Sequence, residues 1–127
     1  MLMAILMAAA AVDCAGLPNQ MAMNQCQQTA VERADAEMNR VWKQARLAMT
    51  KADEEARTGG RLGGGGYVQA LLASQRAWLV YRDAECTIES YEWKGGTMQP
   101  FTEGQCLVQV VRARTRQLNS IITSFKD

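Results

Sequence analysis

The 127-residue chain contains no histidine, two prolines, eight aromatic residues (three Trp, three Tyr and two Phe) and almost no excess charge, with 14 basic against 13 acidic side chains. The missing histidine removes the commonest general base and the commonest metal ligand. Ser-His-Asp or Cys-His catalysis, zincin motifs and Cys/His zinc fingers therefore cannot be built from these residues. A net charge of +1 gives no overall pull toward nucleic acid, whose binding domains are usually strongly basic, so no nucleic-acid partner is expected. No segment alternates apolar and polar residues with a period of two, which excludes half-buried strands. What remains is an ordinary globular composition, 48% hydrophobic and 21% charged, of a length that suits one domain.

The first eleven residues read MLMAILMAAAA, an uncharged apolar run of signal-peptide length and too short to cross a bilayer. Ala9-Ala10-Ala11 offers a cleavage site, and the usual Lys or Arg before the run is missing, as a truncated start would leave it. Residues 1–11 are read as an export signal and 12–127 as a single helical domain. A lipid anchor at Cys14 is disfavoured because Asp13, not a small residue, precedes it. Export to a periplasmic or extracellular compartment makes four cysteines a disulfide framework, and four cysteines permit three pairings. None of Cys14, Cys26, Cys86 and Cys106 stands in a C-x-x-C pair, so neither a metal nor a redox cofactor is expected.

Val31, Ala34, Met38, Val41, Ala45, Ala48 and Ala52 recur at steps of three and four, one apolar face of a long first helix over residues 20–57. Gly59 is placed to end it, and six glycines between Gly59 and Gly66 read as a helix connector. They lack the Gly-Lys-Ser/Thr ending of a phosphate-binding loop. A second helix is predicted from Tyr67 to Trp93, with Leu71, Gln75, Trp78, Arg82 and Cys86 on one face and Leu72 and Leu79 widening it. Gly95-Gly96 stops that helix and Pro100 blocks immediate resumption. A Thr102-x-x-Gln105 capping box then opens a third helix along Leu107, Val111, Arg114, Leu118, Ile121 or Ile122, and Phe125. The fold class is thus all-α: an antiparallel three-helix bundle with a long first helix, stapled by two disulfides.

Cys86 and Cys106 stand about equally far from the turn between the second and third helices, so they should lie at similar height on neighbouring helices. This favours Cys86–Cys106 with Cys14–Cys26, although all four cysteines fall near one end and the spacing also permits cross-pairing. Gln75, Arg82 and Arg114 occupy positions that would otherwise be apolar. A buried guanidinium needs partners; Asp35, Asn39, Asp83 and Glu85 are the candidates, forming either an internal register-fixing network or a polar pocket for a ligand. Trp78 can cover an arginine stem.

Ser74-Gln75-Arg76-Ala77-Trp78, followed by Tyr81-Arg82-Asp83-Ala84-Glu85-Cys86, resembles the signature of the LprI-type lysozyme inhibitor family. Met23-Asn24-Gln25-Cys26, Ala34-Asp35-Ala36-Glu37-Met38-Asn39, the Gly95-Gly96 turn and Arg112-x-Arg114-Thr115 match its other motifs in order. The resemblance spans about residues 14–120. It implies a small exported bacterial domain that acts by binding, inhibits host-type lysozyme and so protects peptidoglycan. The motif residues Asp35, Asn39, Gln75, Trp78, Arg82 and Asp83 are then structural.

Lysozymes of the chicken type are generally basic, and a complementary inhibitor should present acid. Glu32, Asp35, Glu37, Glu85, Glu89, Glu92 and Glu103 gather toward the cysteine-bearing end against Arg33, Arg40 and Lys94, a local balance of −4. Glu85, Glu89 and Glu92, spaced i, i+4, i+7, form a ridge. With Trp93 and Lys94 they are the candidate surface for a basic partner. The other end is basic, which suits the alternative of a non-catalytic module associated with peptidoglycan or the envelope. Paired carboxylates such as Glu85 and Glu89 could in principle cleave glycosides, but they lie on a helix surface, and the protein is not expected to be an enzyme.

Overall fold

A computed structural model describes residues 13–59 and 63–126. The proposed leader, residues 1–11, lies outside them. A single 3₁₀ turn, Cys14–Gly16, precedes α1 (Gln20–Arg57), α2 (Tyr67–Ser90) and α3 (Gln99–Ser124), with a second 3₁₀ turn at Tyr91–Trp93. The described residues contain no strand, and the three helices form the antiparallel bundle that the periodicity predicts. α3 packs against both α1 and α2, while α1 and α2 touch one another less.

The ends of the helices follow from local chemistry. Asn19 caps α1, its Oδ1 accepting the Ala22 N–H at 2.8 Å. Gly59 adopts φ +78° just past the last turn, the left-handed conformation that glycine enters without steric penalty. α2 begins after Gly66, which has no side chain with which to cap it. Asp53 of α1 caps it instead: its carboxylate accepts the N–H groups of Tyr67 at 2.9 Å and Val68 at 3.1 Å.

α3 starts at Gln99, three residues before the predicted capping box, and places Pro100 in its first turn. The first helical N–H groups have no intrahelical acceptor, so proline is tolerated there and its fixed φ favours initiation. α2 is correspondingly shorter than predicted, ending at Ser90 and passing into the 3₁₀ turn.

The core is a stripe of Ala34, Met38, Val41, Ala45 and Met49 from α1 meeting Leu71 and Trp78 of α2 and Val111 and Leu118 of α3. Met49 takes the buried place expected for Ala48, and Leu79 is 37% exposed rather than part of the α2 core face. Both disulfides of the favoured pairing are formed: Cys14–Cys26 with Cα atoms 5.5 Å apart and Cys86–Cys106 with Cα atoms 5.4 Å apart. At the same end α1 and α3 approach so closely that a Cβ on Gly104 would stand 2.5 Å from Cγ of the buried Gln27.

Candidate functional site

The conspicuous motif of α2 proves to be a receptor for one arginine. Arg114 of α3 is 6% exposed. Its Nε donates to Gln75 Oε1 at 2.9 Å, its Nη2 to Ser74 Oγ at 2.9 Å and its Nη1 to Gln117 Oε1 at 3.3 Å. The guanidinium carbon lies 5.9 Å from the centre of the Trp78 ring. Burial pushes the Arg114 pKa down, yet a guanidinium remains charged in proteins. Neutral amide and hydroxyl oxygens thus satisfy a buried cation, helped by the negative face of an indole.

Arg82 sits 5.5 Å from the same ring and pairs with its neighbour Asp83 at 2.9 Å. Of the four proposed acceptors, Asp83 alone bonds either arginine. Asn39 is exposed on α1, and Glu85 is half-buried without such a contact. The reason is rotational: α1 presents Ala34, Met38 and Val41 to the core, which turns Asn39 outward.

Asp35 instead lines a cleft of about 340 Å³ shared by the three helices. Val31 and Asp35 come from α1, Arg82, Asp83, Cys86 and Thr87 from α2, and Glu103 and Leu107 from α3. Asp35 Oδ1 is buried there and has no hydrogen-bond partner among the described residues. Three carboxylates against one guanidinium, already held by Asp83, make the cleft acidic. Glu103 enters by this geometry alone; in the sequence it was one acid among seven near this end. Cys86, Cys106 and Glu89 also cluster, but the two sulfurs are bonded to each other and offer no thiolate to a metal.

The proposed docking ridge is reshaped at its tip. Glu89 extends from α2, whereas Glu92 belongs to the 3₁₀ turn, so the i+7 alignment stops short of it. Around these acids stand apolar side chains open to solvent: Ile88 is 61% exposed, Tyr91 43% and Trp93 46%. The Lys94 ammonium lies 4.4 Å over the Tyr91 ring. The turn beneath is well fastened. Gln99 accepts the Gly95 N–H at 2.9 Å through Oε1 and donates to Ser90 Oγ at 3.3 Å, and Asn24 of α1 donates to Thr97 O at 3.2 Å. Ile88 and Tyr91 escaped the sequence reading, although both are apolar residues on the side of α2 opposite its core positions.

The model of the family described as Lysozyme inhibitor LprI matches residues 13–118. The chain belongs to that family. It is also similar to an uncharacterized protein of Rhizobium meliloti (strain 1021), 34% identical over 117 residues, which cover 91% of this chain and 82% of the relative. No solved structure matches. Membership in the LprI family associates this bundle with lysozyme inhibition, a binding activity. None of the described helices is long and apolar enough to cross a membrane.

Proposed function

We propose that the protein is exported, loses residues 1–11 as a signal peptide, and inhibits a host-type lysozyme stoichiometrically in the periplasm or outside the cell. Membership in the LprI family is the observation that carries this reading. The docking surface assigned to it is the end of α2 and the turn beyond: Glu85, Glu89, Glu92, Trp93 and Lys94. Exposed aromatic and aliphatic side chains among acids are what a basic protein would recognise. Aromatic anchors supply contact area, and the acids steer the encounter. Asn24, Gln99 and the nearby disulfide hold this surface in place before binding, which reduces the ordering cost. Inhibition then requires no chemistry, only occlusion of the enzyme's cleft.

The test is a muramidase turbidity assay with the oxidised mature protein and its E85K/E89K/E92K variant. Inhibition by the native protein and its loss in the variant are expected. Unchanged inhibition by the variant would remove the surface assignment while leaving the activity. No inhibition of any lysozyme, combined with retention on peptidoglycan, would instead favour an envelope-binding module.

A further inference from the structure

The outer face of α2 carries a second apolar stripe, directly opposite the core. Ala73, Ala77, Val80, Ala84, Ile88 and Tyr91 follow one another at steps of four, three, four, four and three, and every one is exposed. Val80 is 72% exposed and Ile88 61%. This is a helix-pairing periodicity with nothing seated on it, and its small residues allow a second helix to approach closely.

We infer that this face pairs α2 with α2 of a second copy of the chain, antiparallel about a twofold axis near Val80. The flanking charges select that occupant and that register. Arg76 and Asp83 lie on the same edge of the stripe, one heptad apart, and both reach solvent; the Asp83 side chain is 67% exposed and meets Arg82 through Oδ1, which leaves Oδ2 to face a second cation. Across an antiparallel seam equivalent edges meet. Arg76 of each copy then faces Asp83 of the other, twice by symmetry. Sliding one helix by seven residues sets Asp83 against Asp83 in one direction and Arg76 against Arg76 in the other, and both arrangements repel. The favourable register also brings Tyr67 level with Glu92 of the second copy, so the two helices overlap over residues 69–90, nearly their whole length.

A helix of that length is about 36 Å long. One such seam buries less than the roughly 1,200 Å² of a standard stable interface, so the dimer is weak and concentration-dependent. The seam shares Ile88 and Tyr91 with the surface assigned to lysozyme, and self-association is read by sedimentation alone, without reference to inhibition.

Sedimentation velocity on the oxidised mature protein, from about 10 to about 500 μM, tests the inference. The native protein should show a growing dimer fraction, and V80D should be monomeric throughout. R76D or D83R alone places like charges across the seam twice and should weaken the dimer about tenfold. The double variant R76D/D83R restores opposite charges and should recover the native dissociation constant to within about threefold. A native protein that stays monomeric over the whole range, or a double variant as dissociated as the single ones, overturns the proposal.

Discussion

At one end of the bundle Cys86–Cys106 ties α2 to α3 and Cys14–Cys26 ties the leading turn to α1. At the other end the described residues contain no covalent link, and Tyr67 meets Phe125 edge to face with ring centres 5.5 Å apart. The buried set differs accordingly. The cystine end buries Phe101 and Val108 beside the small Ser90 and Gly104 and the polar Gln27, while the far end buries Met49, Leu71 and Leu118. Apolar area supplies most of the stability of an ordinary core. Where small and polar residues stand beside Phe101 and an acidic cleft opens, cross-links add to the apolar contacts. Such an end can carry exposed aromatics and unpaired acid on a rigid frame, provided that the disulfides stay oxidised.

Reduction is the sharpest way to break this contrast. The two bridges span separations of 12 and 20 residues, and in a chain-entropy treatment each contributes about 3 kcal/mol. Removing both should therefore cost on the order of 6 kcal/mol. Hydrogen exchange should show protection lost first around residues 20–30 and 86–106, with the far end opening later. Equal loss at both ends would mean that the disulfides stabilise the bundle as a whole.

The converse experiment attacks the far end. Leu118 is fully buried, and Leu118→Ala should cost about 2–5 kcal/mol through lost transfer energy and the cavity left behind. Urea denaturation at unchanged slope would measure it. Protection at Cys86–Cys106 should persist in this variant.

Between the ends, Arg114 offers a test of geometry against charge. Arg114→Lys keeps the cation but not the planar fork that reaches Gln75 and Ser74 together. The half-buried Gln75 and the exposed Ser74 lose a charge-assisted donor, at about 1–3 kcal/mol. A loss no larger in Arg114→Met than in Arg114→Lys would show that charge contributes nothing beyond the hydrogen bonds.

How much of this was legible beforehand differs from element to element. The α1 stripe could be read because each buried position repeats at three or four residues, and the α2–α3 disulfide because its cysteines flank one turn almost evenly. The start of α3 differs from the expected Thr102 because Pro100 signals both a helix stop and a helix start, and the choice depends on whether Gln99 can fasten the turn. For the buried arginines the sequence points to Asp35, Asn39, Asp83 and Glu85, because burial of a charge suggests ion pairing, whereas Arg114 bonds Gln75, Ser74 and Gln117. Which residues face a guanidinium depends on the rotation of two helices about their axes, and a one-residue change moves a side chain by about 100°. The residues of the cleft were visible one at a time, but their convergence from three helices was not.

Asp53 gives the smallest expected effect and the one that separates the two ends by pH. Its carboxylate caps α2 from outside that helix, and the N–H groups of Tyr67, then Val68, hold its pKa below the ordinary value. A lowered folded-state pKa means that the ionised form is favoured by folding. The stabilisation is complete above the unfolded value of about 3.9 and disappears as the pH falls through the lower folded value. Asp53→Asn should therefore lower Tm slightly at neutral pH, and the difference from the native protein should shrink below about pH 3.9. Exchange at Tyr67 and Val68 should accelerate while the amides beside Cys86 and Cys106 stay protected. A variant whose Tm deficit persisted unchanged in acid would show that the cap acts through shape and hydrogen bonding, because an uncharged amide oxygen cannot reproduce the pH dependence of a carboxylate.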